Sequence, residues 1–147
     1  MSGLGQRVVN STARGVVGAM AMTGVRSFTG SMGLVGETPP EAVLRQKLGG
    51  LMKRIPEKRQ QGVVEAFHWS TGAVAGAAFA LLPAAMRRPP WAGAAYGLAV
   101  LSGFELAVAP LLGLEQARHE RFVERLVFLV DHVLYGLVLS PPAHQHG

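Results

Sequence analysis

The sequence predicts an all-α membrane protein whose four transmembrane helices form two hairpins, with a short amphipathic helix at the interface after the first span. Three observations carry that expectation. Charged residues make up 16% of the chain and hydrophobic ones 49%, whereas soluble domains carry about 25% charge. The charges crowd into residues 37–61 and 115–125 and leave long segments nearly bare. Apolar stretches near residues 12–36, 62–86, 91–113 and 122–140 each approach the ~20 residues that cross a bilayer. At 147 residues the chain is a single domain's worth of material, 1–147.

The N-terminus, MSGLGQRVVNSTARG, places Arg7 and Arg14 before an apolar run longer than the core of a signal peptide. The first span, about 12–36, is interrupted by Arg26, and without it the flanking pieces are too short to cross. Ser11, Gly15, Ala19 and Thr23 recur every fourth residue, a stripe that lets another helix approach closely. In segment 37–61, Thr38 is the expected N-cap. Pro39 and Pro40 suit the first turn, and Glu41 completes a capping box. Val43, Leu44, Leu48, Leu51 and Ile55 then fall on one side, predicting an amphipathic helix at the membrane surface, loosened by Gly49 and Gly50.

The second span, 62–86, is rich in alanine and glycine and should pack tightly, with Gly72 and Gly76 among its contact positions. Arg87-Arg88-Pro89-Pro90 forms a turn that no helix runs through. The third span, 91–113, starts at Trp91, where an aromatic belt belongs, and offers Gly93 and Gly97 for packing. A charged link, 114–121, leads to the fourth span, 122–140, which contains Gly136 and stops at Pro141-Pro142. The tail histidines, His144 and His146, are expected to be inert.

With four spans, Arg7, Arg87, Arg88 and Arg14 mark one side. Arg45, Lys47, Lys53, Arg54, Lys58, Arg59, Arg118 and Arg121 mark the other. The positive-inside bias therefore predicts a cytoplasmic 37–61 segment and both termini outside. A weak internal similarity accompanies this order. His68 and Gly72 in HWSTG match His132 and Gly136 in HVLYG, each pair preceded by an acid, Glu65 or Asp131, which suggests two related hairpins.

Depth along the spans predicts a polar layer. At about 1.5 Å per residue, Arg26, Glu105 and Asp131 lie ~12–15 Å from the same membrane edge. His132 joins them, with Glu65 and His68 nearer the cytoplasm and sharing a helix face. Ionisable groups are costly in hydrocarbon and mark protein-lined sites or pathways. Their charges do not balance, so the layer requires a protonated carboxyl, a charged histidine or a bound cation. Haem ligation by His68 and His132 is a third possibility. A divalent-metal site from Glu65, His68, Asp131 and His132 is chemically conceivable but has no supporting pattern. The net charge of +5 does not indicate nucleic acid, because the bases sit at span ends rather than on one face with aromatics. The absence of cysteine excludes disulfides and thiolate metal sites. No phosphate loop, nucleophile elbow or zinc-protease helix is present, so neither catalytic residues nor a cofactor are expected.

The segments GVVGAMAM, ETPPEAV, FHWSTGAVAGAAFALL, GAAYGLAVLSGFE and DHVLYG resemble, in their order, the small four-span YagU-like bacterial inner-membrane proteins. The resemblance implies an inner-membrane address and carries over no catalytic residue. The expected role is therefore an accessory or assembly component with a buried polar core. Its partners would be the lipid bilayer and either further copies of itself or a larger membrane complex. The alternative is a proton- or cation-handling protein using the same layer.

Overall fold

The computed structural model describes residues 3–114 and 121–140, and among them every regular element is helical. In chain order these are α1 (Gly3–Ser31), α2 (Pro39–Lys47), α3 (Gly49–Met52), α4 (Glu57–Leu81) and α5 (Ala84–Arg87). Then come α6 (Ala92–Leu112, with a π-helical turn at Phe104–Val108) and α7 (Phe122–Leu139). Residues 115–120 of the charged link, the Pro141-Pro142 stop and the tail histidines lie outside the described residues.

The long helices α1, α4, α6 and α7 contain 29, 25, 21 and 18 residues. At about 1.5 Å per residue each is long enough to span most or all of a bilayer core. Composition is more selective. Among the described residues, only Ala92–Leu112 is both long and apolar enough to qualify as a membrane span. The expected four independently apolar spans are thus reduced to one. The first is diluted by Gly, Ser, Thr and arginines, the second by Glu65, His68, Ser70 and Thr71, and the fourth carries Glu124, Arg125 and Asp131.

Small residues decide the packing. On α1, the expected stripe lies against α4: a Cβ on Gly15 would overlap the Gly72 carbonyl, and one on Gly76 the Ser11 carbonyl. Ala19 fills the space beside Gly72, while Thr23 accepts a 3.2 Å hydrogen bond from Trp69 Nε1. The α6–α7 pair is joined in the same way. Gly93 and Gly136 face each other's carbonyls, and Gly97 faces the carbonyl of His132. All seven small residues expected to mediate packing are therefore consumed inside the bundle.

Two tyrosines tie the pairs together. Tyr135 on α7 donates to the Gly72 carbonyl at 2.7 Å, and Tyr96 on α6 donates to that of Ala75 at 2.8 Å. Around them Met22, Phe79, Tyr135 and Leu139 form a buried cluster, with the rings of Phe79 and Tyr96 5.0 Å apart.

The 37–61 segment departs from expectation. Pro40 has no N–H to offer a capping side chain, Thr38 makes no side-chain cap, and Glu41 pairs with Arg45 at 2.8 Å instead. The helix breaks at Leu48. Leu44, Met52 and Ile55 then fold over Val63, Val64 and Phe67 of α4, while Leu48 and Leu51 point outward. The segment is thus a cap docked on α4. A clamp not anticipated from sequence closes the same end. Glu124 accepts from the N–H groups of Arg121 (2.8 Å) and Gly36 (3.0 Å), and Arg121 Nη2 donates to the carbonyls of Gly33 and Leu34 at 3.3 and 3.2 Å.

Candidate functional site: a polar layer between two cavities

Near the 82–92 turn α4 and α6 touch through Tyr96, Ala75 and Phe79. Further along they part. Phe67, His68 and Thr71 on α4 and Val100, Leu101 and Phe104 on α6 line opposite walls of a partly open cavity of about 370 Å³. The π-helical turn bounds it, bringing Phe104 and Val108 to the wall. Pro110 explains the turn. It cannot donate to the Leu106 carbonyl, its ring crowds that carbonyl, and the backbone answers with a wider Ala109 N–H to Phe104 bond. Pro110 was the available sequence signal for this irregularity.

Asp131 lies in this wall and is fully buried, with a side-chain exposure of 0%. Arg26 Nε comes within 3.9 Å of its Oδ2, a loose ion pair that joins α1 to α7 as the depth argument expects. Neither carboxylate oxygen of Asp131 accepts a hydrogen bond from any described residue, and Arg26 Nε and His68 Nε2 are also buried without a partner. His132 borders the same cavity, with Nδ1 2.8 Å from the Phe128 carbonyl, so a neutral ring donating there leaves Nε2 as an acceptor.

A second, smaller cavity of about 110 Å³ adjoins the first and shares Arg26, Pro40 and His68 with it. Its other walls include Thr38, Glu41, Gln61 and Glu65. Glu65 accepts from Gln61 Nε2 at 3.2 Å, which places it in this polar vestibule rather than beside Asp131. Arg26 and His68 therefore stand between a polar compartment and an apolar one.

Of the six expected layer residues, Arg26, His68, Asp131 and His132 come together, Glu65 lies one compartment away, and Glu105 does not join them. Glu105 is half-buried in the π-helical turn, borders neither cavity and makes no hydrogen bond or ion pair with a described residue. Equal depth did not ensure meeting, because a helix presents a residue at one azimuth only. With Glu105 elsewhere, the excess negative charge expected at the Arg26 layer disappears. Among the described residues no cluster of three or more His, Asp or Glu side chains is arranged to hold a metal ion. Comparison with family models, characterised proteins and solved structures finds no match to this chain.

Proposed function

We propose that the chain is a multi-pass protein of the bacterial inner membrane that takes up and releases a proton, or a cation in its place, at Asp131. In this reading four helices span the bilayer, residues 37–61 are cytoplasmic and both termini are outside. Its outward faces support a lipid surround. Val17, Val74, Leu106 and Leu111 are 57%, 70%, 80% and 85% exposed, while the enclosed acid is an aspartate. A water-soluble bundle would reverse that distribution. Spans that fail a composition test alone are accommodated when Arg26 and Asp131 neutralise each other inside the bundle.

One observation carries the functional part. Asp131 is buried with both oxygens unpartnered, beside an arginine and a histidine that also face the polar vestibule. A purely structural polar core gains its stability by closing such bonds. The groups facing Asp131 and its path are Arg26 of α1, His68 and Glu65 of α4, Glu41 of α2 and His132 of its own helix. Protons would pass between the vestibule and Asp131 by way of His68.

Proteoliposomes with a trapped pH indicator test this reading. The unmodified chain is expected to carry a pH-gradient-dependent flux that Asp131→Asn abolishes with helix content unchanged. In infrared difference spectra a titrating carboxyl band should vanish in the same variant. Neither flux nor band from the unmodified chain would sink the reading and leave the layer as packing, with an accessory role for the protein.

A further inference from the structure

The larger cavity is more than the setting of Asp131. We propose that it is a binding site for an uncharged lipophilic molecule with a planar, oxygen-bearing ring, of the quinone or alkylphenol class. Four features of the cavity select that chemistry. Its size, about 370 Å³, falls within the range of small-molecule pockets, roughly 300–1,000 Å³. Its walls are mostly apolar, with Phe67, Phe104 and Phe128 supplied by three different helices. Aromatic side chains distributed in this way favour a flat ring that can stack or meet edge to face.

The polar groups define the head of the ligand. Arg26 and Asp131 cancel one another's charge, so a charged head would have to break the pair or leave a net charge in an apolar enclosure. An uncharged head avoids both costs. Arg26 Nε is a free donor, the two Asp131 oxygens are free acceptors, and His68 Nε2 can serve in either role. A ring hydroxyl or carbonyl satisfies members of that set without displacing any existing bond. The fold also explains why the space exists. The glycine contacts and Tyr96 fasten the helices at one end, while the interruption before Pro110 bends the α6 wall at the other. The site shares Asp131 with the proton-exchange reading but does not require that exchange, and it needs no redox step by the protein.

The test is equilibrium binding of decyl-benzoquinone to the full chain in mild detergent, with decanol and decanoate as ring-free comparators. One saturable site per chain is expected for the quinone, with neither comparator displacing it at equal concentration. Val100→Trp, which fills the cavity from the α6 wall, is expected to remove binding while helix content and melting are retained. Phe104→Leu keeps an apolar wall and should weaken binding by about tenfold through loss of its ring contact. Equal binding of decanol would overturn the assignment to a ring, and unchanged binding by folded Val100→Trp would overturn the assignment to this cavity. If Val100→Trp does not fold, unchanged affinity in Phe104→Leu overturns it as well. Flux in liposomes is read separately, so either proposal can fail while the other stands.

Discussion

The two ends of this bundle are built on opposite rules. Where Ser11, Gly15 and Ala19 meet Gly72 and Gly76, and Gly93 and Gly97 meet His132 and Gly136, backbones come together with only small side chains such as Ala19 and Ser140 beside them. Where Arg26, Phe67, His68, Phe104 and Asp131 lie, side chains hold the helices apart around two cavities. The first end gains dispersion contacts and leaves no room for a ligand. The second gives up close packing and keeps polar atoms unpartnered. A bundle closed at one end can hold an open, charged compartment at the other because the closed end fixes the helix positions.

The contrast is broken most severely at the closed end. Gly136→Leu would drive a branched side chain into the Gly93 backbone, which cannot yield as a side-chain tip can. The expected result is loss of the cooperative thermal transition followed by circular dichroism in detergent. If Gly136→Leu melts like the unmodified chain, the glycine contact does not hold the bundle.

At the open end the ion pair gives the next largest effect. Asp131→Ala leaves the Arg26 guanidinium buried and unpaired, which costs about 3–5 kcal/mol. The double variant Arg26→Met with Asp131→Leu should recover most of that loss, because packed apolar groups replace both charges. A denaturation series over the two variants decides between a pair kept for stability and one kept for its chemistry.

A smaller effect is expected where the two helix pairs join. Tyr135→Phe removes the 2.7 Å hydrogen bond to the Gly72 carbonyl and keeps the ring, for a loss of about 1 kcal/mol. The smallest belongs to Glu105→Gln, expected to remain within about 0.5 kcal/mol and to leave flux unchanged, since Glu105 lies outside the layer. A large loss of flux in Glu105→Gln would return this residue to the site.

Much of the fold was legible in the chain. The fourfold spacing of Ser11, Gly15, Ala19 and Thr23 names the face of α1 that meets α4, and depth counting puts Arg26 at the level of Asp131, where the two pair. Less of the site was. Depth counting places Glu105 with Asp131 because rise per residue is legible from sequence, whereas azimuth depends on how helices are rotated in the bundle. The 37–61 segment reads as one amphipathic helix, because its hydrophobic face does not reveal that half of it docks on Val63, Val64 and Phe67.

By itself the sequence determined the helices, their small-residue contact stripes and the depth of each charged group, since these follow from composition and spacing along one axis. Tertiary structure alone decided which charges meet, that α4 and α6 diverge, and that Arg26 and His68 separate a polar compartment from an apolar one. Those outcomes depend on helix rotation and on the irregularity before Pro110, which are set by all the contacts of the bundle at once.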